Sequence, residues 1–254
     1  MDASSAARSN LAGWLSRGWA AYTSQPAPLI AASLVLSVVT LPVLVPVLPS
    51  PPAWAWAAMA FSMLLIYPVL LIGWCALLLK AVRGRPAHVA DLLSSLPRLG
   101  PSWGTGVLVT VLTFVGSLLI VPGILVWCAY MCALFAVLDR GLSPGESLAL
   151  SARISKGHRG RIFGVWCLSS AAGFIWFYAL RAGQSNAGGL GRTFYAIGLI
   201  TLLVDAVVVT PWTCAANAVA YDDLMLLADA AAVGTVEAGL TNQPRDERTQ
   251  APPE

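Results

Sequence analysis

The chain has 254 residues, 57% of them hydrophobic and only 11% charged, against about 25% charged in a soluble domain. A formal charge of +3, with the basic residues set beside apolar runs instead of along one polar face, excludes a nucleic-acid surface. Apolar runs of about 20 residues recur, so lipid is the solvent for most of the chain and membrane lipids are its first expected partners.

Residues 1–27 are expected to form a cytoplasmic amphipathic segment, with Leu11, Trp14, Leu15, Trp19 and Tyr22 on its apolar side. No cleavable signal is expected, because 1–25 is mostly small and polar and the first long apolar run carries Pro42 and Pro46. A membrane domain over 28–226 then holds six predicted transmembrane helices, near 28–48, 53–79, 103–121, 123–138, 162–180 and 194–221. Between the third and fourth, Val121-Pro122-Gly123 combines a helix stop with a residue that permits a sharp turn. Pro211 is expected to kink the sixth span and free the carbonyl of Val207, four residues earlier. The tail over 227–254 is polar after Val233, contains Pro244, Pro252 and Pro253, and is expected to be cytoplasmic and mostly disordered.

Thirteen of the fifteen Lys and Arg residues fall on one side of this topology. They are Arg8 and Arg17, then Lys80, Arg83, Arg85 and Arg98, then Arg140, Arg153, Lys156, Arg159 and Arg161, and finally Arg245 and Arg248. Only Arg181 and Arg192 fall on the other. The positive-inside rule therefore places both termini in the cytoplasm. Trp54, Trp103 and Trp166 lie near span ends, where indole rings anchor at headgroups.

The two long cytoplasmic connections resemble each other at an offset of 57 residues: Arg83-Gly84 meets Arg140-Gly141, Leu93 meets Leu150, Ser94 meets Ser151, and Gly100 meets Gly157. Each is expected to form a short amphipathic helix between two spans. In the second, Ser143-Pro144-Gly145-Glu146 reads as a capping box with proline at the first helical position. Leu148 and Ile154, with Leu150 beside them, supply its apolar side, and Arg153, Lys156, Arg159 and Arg161 are candidate contacts for lipid phosphates. With the N-terminal segment as a degenerate third copy, the architecture reads as three units of interfacial helix plus hairpin.

Chemistry-bearing residues are few. Asp205 lies in the otherwise apolar stretch Leu199–Val209, where an ionised carboxylate costs roughly 2.5–3.5 kcal/mol on insertion scales. It reads either as a proton, cation or substrate site, or as a structural acid hydrogen-bonded to Thr201 or to neighbouring backbone. Asn217 in the same span can bond across helices. The five Cys all sit in apolar runs and read as reduced core residues; Cys128 and Cys132 share a helix face, but no His or acid adjoins them to complete a metal site. His158-Arg159-Gly160 matches the triplet that opens glycerophosphodiester phosphodiesterase active sites, yet it runs straight into a span with no acidic ligands after it, so it reads as a basic membrane border. No cofactor motif is present in the sequence, and no enzyme activity is expected.

Several segments in order resemble the membrane-domain family related to the membrane regions of glycerophosphoryl diester phosphodiesterases. They are Ile120-Val121-Pro122-Gly123-Ile124, the run from Leu138 through Leu148 containing Asp139-Arg140-Gly141, the run from Ser151 to Arg161, Pro211, and Tyr221-Asp222-Asp223-Leu224. Met225 stands where members carry an Arg after that last motif. The resemblance implies a bacterial multi-pass membrane domain, without the fused catalytic part that some members carry. The expectation is thus an all-α, six-span protein of the bacterial inner membrane, built as three hairpins with cytoplasmic amphipathic helices. Its expected function is a non-enzymatic module binding lipid or a partner membrane protein. A small transporter or transporter subunit using Asp205, Thr201 and Asn217 is the alternative, and an intramembrane enzyme comes third.

Overall fold

In the computed structural model, which describes residues 10–41, 50–93, 99–117, 119–185 and 188–241, every regular element is helical. Helix α1 (Leu11–Ser24) starts at Asn10, whose side chain accepts from the Gly13 amide at 2.6 Å. It meets α2 (Pro26–Thr40) at a 100° bend. Pro26 presets the first turn of α2. Gln25 fixes the bend, donating to the Arg85 carbonyl at 2.9 Å and accepting from the Ala87 amide at 2.8 Å. The expected first span falls on α2; Pro42 and Pro46 lie outside the described residues.

Next come α3 (Ala53–Phe61) and α4 (Tyr67–Val82), joined by a π-helical turn over Ser62–Ile66. After a 3-10 turn at Val89–Leu93 the chain forms α5 (Leu99–Ser117), α6 (Ile120–Tyr130), α7 (Ala133–Arg140), α8 (Pro144–Ile154), α9 (Arg159–Ser185) and α10 (Gly188–Val204). A second π turn, Asp205–Val209, leads into α11 (Thr210–Thr241). Four segments are long and apolar enough to cross a membrane: Ala53–Val82, Val121–Arg140, Arg159–Ser185 and Gly188–Val233. A fifth is added if the bent α1–α2 pair counts as one. The expected third span lies on α5, of which Trp103–Thr113 is a shorter apolar helix, so four or five stand where six were expected. The last helix runs to Thr241, past Val233 where order was expected to end; 242–254 lie outside the described residues.

The π turns follow from proline. Pro68 and Pro211 each sit one residue inside a helix and lack the N–H that would bond the carbonyl four residues back. Those carbonyls belong to Leu64 and Val207, and side chains satisfy both: the Trp103 indole donates to Leu64 at 3.2 Å, and the Tyr22 hydroxyl donates to Val207 at 3.0 Å. Ser33 adds a 2.6 Å bond to the Ala206 carbonyl. In a bilayer a freed carbonyl has no water to accept from, so these donors are what make the breaks tolerable. Trp103, expected as a headgroup anchor, also serves a helix break and stays 39% exposed.

Helix α1 packs antiparallel along α11 rather than lying apart from the bundle. Trp14 and Arg17 meet Asp223, Gly18 meets Ala216, and Tyr22 meets Val207. A Cβ at Gly18 would stand 2.6 Å from the Ala216 nitrogen, so only glycine permits this approach. The apolar stripe read from the sequence faces inward at Trp14 and Tyr22, while Trp19 remains 44% exposed.

The proposed repeat is uneven. Gly84 and Gly141 both close their helices at positive φ, +68° and +64°, the left-handed cap that glycine adopts without cost. Ser143 and Glu146 form the expected capping box. The first connection, however, shows only the 3-10 turn among its described residues, with 94–98 outside them, and Gly100 is helical where Gly157 has φ +86°.

Candidate functional site

Three clusters of polar side chains stand out from the apolar bundle. The first joins the segments expected on the cytoplasmic side. Asp223, only 9% exposed, accepts from the Trp14 indole at 2.9 Å and forms an ion pair with the Arg17 guanidinium. Arg83 bridges Asp139 at 2.6 Å and Asp222 at 2.7 Å, and the Tyr221 hydroxyl donates to Asp139 at 3.1 Å. The hydrogen bonds that Arg83 donates to these two carboxylates, Asp139 first, hold it protonated well above its ordinary range. Arg140 pairs with Asp229 at 2.7 Å, and Lys80 with Asp91 at 2.6 Å. These contacts bring α1, the ends of α4 and α7, and α11 to one end of the bundle.

The second cluster is α8 and the turn after it. Ser147, Ser151 and Ser155 form its buried stripe; Ser151 donates to the Ala129 carbonyl at 2.7 Å, just before α6 gives way to α7. Leu148 and Ile154 are buried and Leu150 is half-buried. Arg153 and Lys156 are exposed, and among the described residues no ion pair holds either. Arg159 and Arg161 are half-buried. Nε of Arg159 is buried without a hydrogen-bond partner, and Arg161 lies 3.3 Å from His158 Nδ1. Burial, then the Arg161 charge, lowers the His158 pKa from its ordinary value, so the ring is neutral at neutral pH. Arg153 borders two grooves between α8 and α11, of about 670 and 430 Å3. Leu224, Leu227, Ala228 and Ala232 supply apolar lining.

The third comprises the intramembrane candidates, which the fold keeps apart. Asp205 is half-buried and accepts from the Trp176 indole at 3.1 Å and from the Thr210 hydroxyl at 3.3 Å. Thr201, the expected partner, bonds its own helix at Ile197 and Gly198. A Thr hydroxyl at that spacing reaches the carbonyl one turn back more readily than a side chain one turn ahead. Asn217 lies three turns further on and lines a separate cavity. Among the described residues Asp205 meets two neutral donors and no cation, the surroundings that a structural acceptor at the π turn would have.

Cys75, Cys128 and Cys132 are buried and Cys214 is half-buried, but Cys167 is exposed on α9, contrary to a core reading for all five. Among the described residues no three His, Cys, Asp or Glu side chains gather as metal ligands. The acids of Tyr221-Asp222-Asp223 and their clasp by Arg17 and Arg83 were missed by functional reasoning from the sequence. Counting acids by side as well as bases would have found them. No family model, curated protein or solved structure matches this chain.

Proposed function

We propose that the chain is a non-enzymatic, multi-pass module of the bacterial cytoplasmic membrane that binds anionic lipid, or a partner protein with an anionic surface, through α8. In this reading the protein crosses the bilayer as three hairpins with both termini inside, as the charge asymmetry and the motif resemblance imply. One observation carries it. Arg17, Lys80, Arg83 and Arg140 are all engaged by carboxylates, whereas Arg153 and Lys156 stand exposed with no ion pair among the described residues, and Arg153 borders two grooves, the larger of which also carries Glu146 and Asp229. In the smaller groove Arg153 stands over an apolar floor of Leu224, Leu227 and alanines, which suits a phosphate with a hydrocarbon chain attached.

The test replaces Arg153 and Lys156 together with Gln in the full chain and measures co-purifying lipid by mass spectrometry. Each base near an anionic surface contributes about 1 kcal/mol, so the ratio of anionic to zwitterionic lipid should fall about tenfold after allowing for screening. An unchanged ratio, with no protein lost from pull-downs of native membranes, would remove this reading.

A further inference from the structure

A cavity in the apolar core has no role in the function proposed above. It has a volume of about 510 Å3, is partly open, and is walled by α4, α5, the α6–α7 break and α11. That size falls within the usual range for small-molecule sites and far exceeds the voids left by ordinary packing. Its walls include Leu71, Trp74, Leu78, Trp127 and Leu134, and none of its lining residues is charged. Asn217 also lines it, and the Oδ1 of Asn217 is buried without a hydrogen-bond partner. An orphaned acceptor in an apolar site is costly unless a donor reaches it. Oδ1 is closed off from the cavity as the side chain stands, and a half-turn about χ2 would bring it to the cavity wall in place of the amide nitrogen.

We propose that this cavity binds a neutral lipid with a single hydrocarbon chain and a hydroxyl group, the hydroxyl donating to Asn217 Oδ1. The apolar walls take the chain. The lack of a cation excludes a carboxylate or phosphate headgroup, since a buried anion without a partner is strongly disfavoured. The lone amide acceptor selects a donor over a plain hydrocarbon. The site is separate from α8, and neither test touches the other's residues.

The probe is a diazirine-bearing hexadecanol, photolysed with the full chain in phosphatidylcholine nanodiscs and mapped by peptide mass spectrometry. Labels are expected on the peptides spanning 67–78 and 127–135. At equal mole fraction, hexadecanol should compete about fivefold better than hexadecane, the worth of one hydrogen bond. Asn217→Leu should erase that advantage and keep the labelled positions. Thr110→Phe, which fills the cavity from α5, should remove the labels. Geranylgeraniol competing better than hexadecanol would support the site and assign a branched prenyl chain; the reverse would support it and assign a straight one. Equal competition by hexadecane, competition by palmitate as strong as by hexadecanol, or labelling that survives Thr110→Phe would overturn the proposal. Should either variant fail to fold, the competition series on the unaltered chain decides.

Discussion

Asp205 and Asp223 are both acids on the last long helical segment, and their surroundings assign them different work. Asp223 meets a guanidinium at the bundle end, and Asp205 meets only an indole and a hydroxyl within it. The sequence made Asp205 conspicuous because its neighbours are apolar, but it could not supply Trp176, which lies 29 residues away on α9. A structural role for Asp205 has a sharp consequence. In Asp205→Asn the amide oxygen keeps Trp176, while the amide nitrogen donates to a Thr210 hydroxyl turned to accept. Thermal unfolding in detergent should then shift by less than about 0.5 kcal/mol equivalent. Asp205→Leu strands the Trp176 N–H and should cost about 1–3 kcal/mol. Adding Trp176→Phe should recover part of that loss. An Asn variant with normal melting and membrane level, yet with the phenotype of a gene deletion, would instead make Asp205 a proton or cation site.

At the scale of elements, the proline breaks were half legible. Pro211 announced that Val207 would lose its partner, because the missing N–H is a covalent fact. That Tyr22, 185 residues earlier, would supply the replacement donor was not legible, since only the packing of α1 along α11 brings it there. The Ala53–Val82 segment uses the same device with Pro68, Leu64 and Trp103. The pairing predicts a coupling. Tyr22→Phe leaves the Val207 carbonyl bare and should lower stability by about 1 kcal/mol, typical of measured side-chain bonds within membranes. In a Pro211→Ala background the restored backbone N–H can take that carbonyl, so the same Tyr22→Phe change should cost much less. A double-mutant cycle on thermal unfolding measures the difference. Equal cost in both backgrounds would mean that the hydroxyl, whatever it bonds, is not there to satisfy the proline's lost partner.

For the whole molecule, the charge asymmetry on which the proposed orientation rests also holds one end of the bundle together. The acids Asp91, Asp139, Asp222, Asp223 and Asp229 gather at the end that carries most of the bases, and four basic side chains clasp them there. The helical class and most span positions were legible because apolar periodicity and length suffice for them. The bend at Gln25 was not, since it depends on two hydrogen bonds to a distant connection. Which side of the membrane the clasped end faces follows from the positive-inside rule, and that is open to direct measurement. Ser185 is exposed at the end of α9, on the far side from the clasp in this topology, and Thr249 belongs to the C-terminal tail. With the exposed Cys167 changed to Ala, the other native thiols lie wholly or partly within the bundle, away from a polar reagent. Single Cys substitutions at Ser185 and Thr249, treated on intact cells with a membrane-impermeant maleimide, should then label at 185 alone. After permeabilisation both should label. Labelling at 249 on intact cells would invert the protein, and with it would move the exposed Arg153 and Lys156 away from the anionic cytoplasmic leaflet that α8 is proposed to grip.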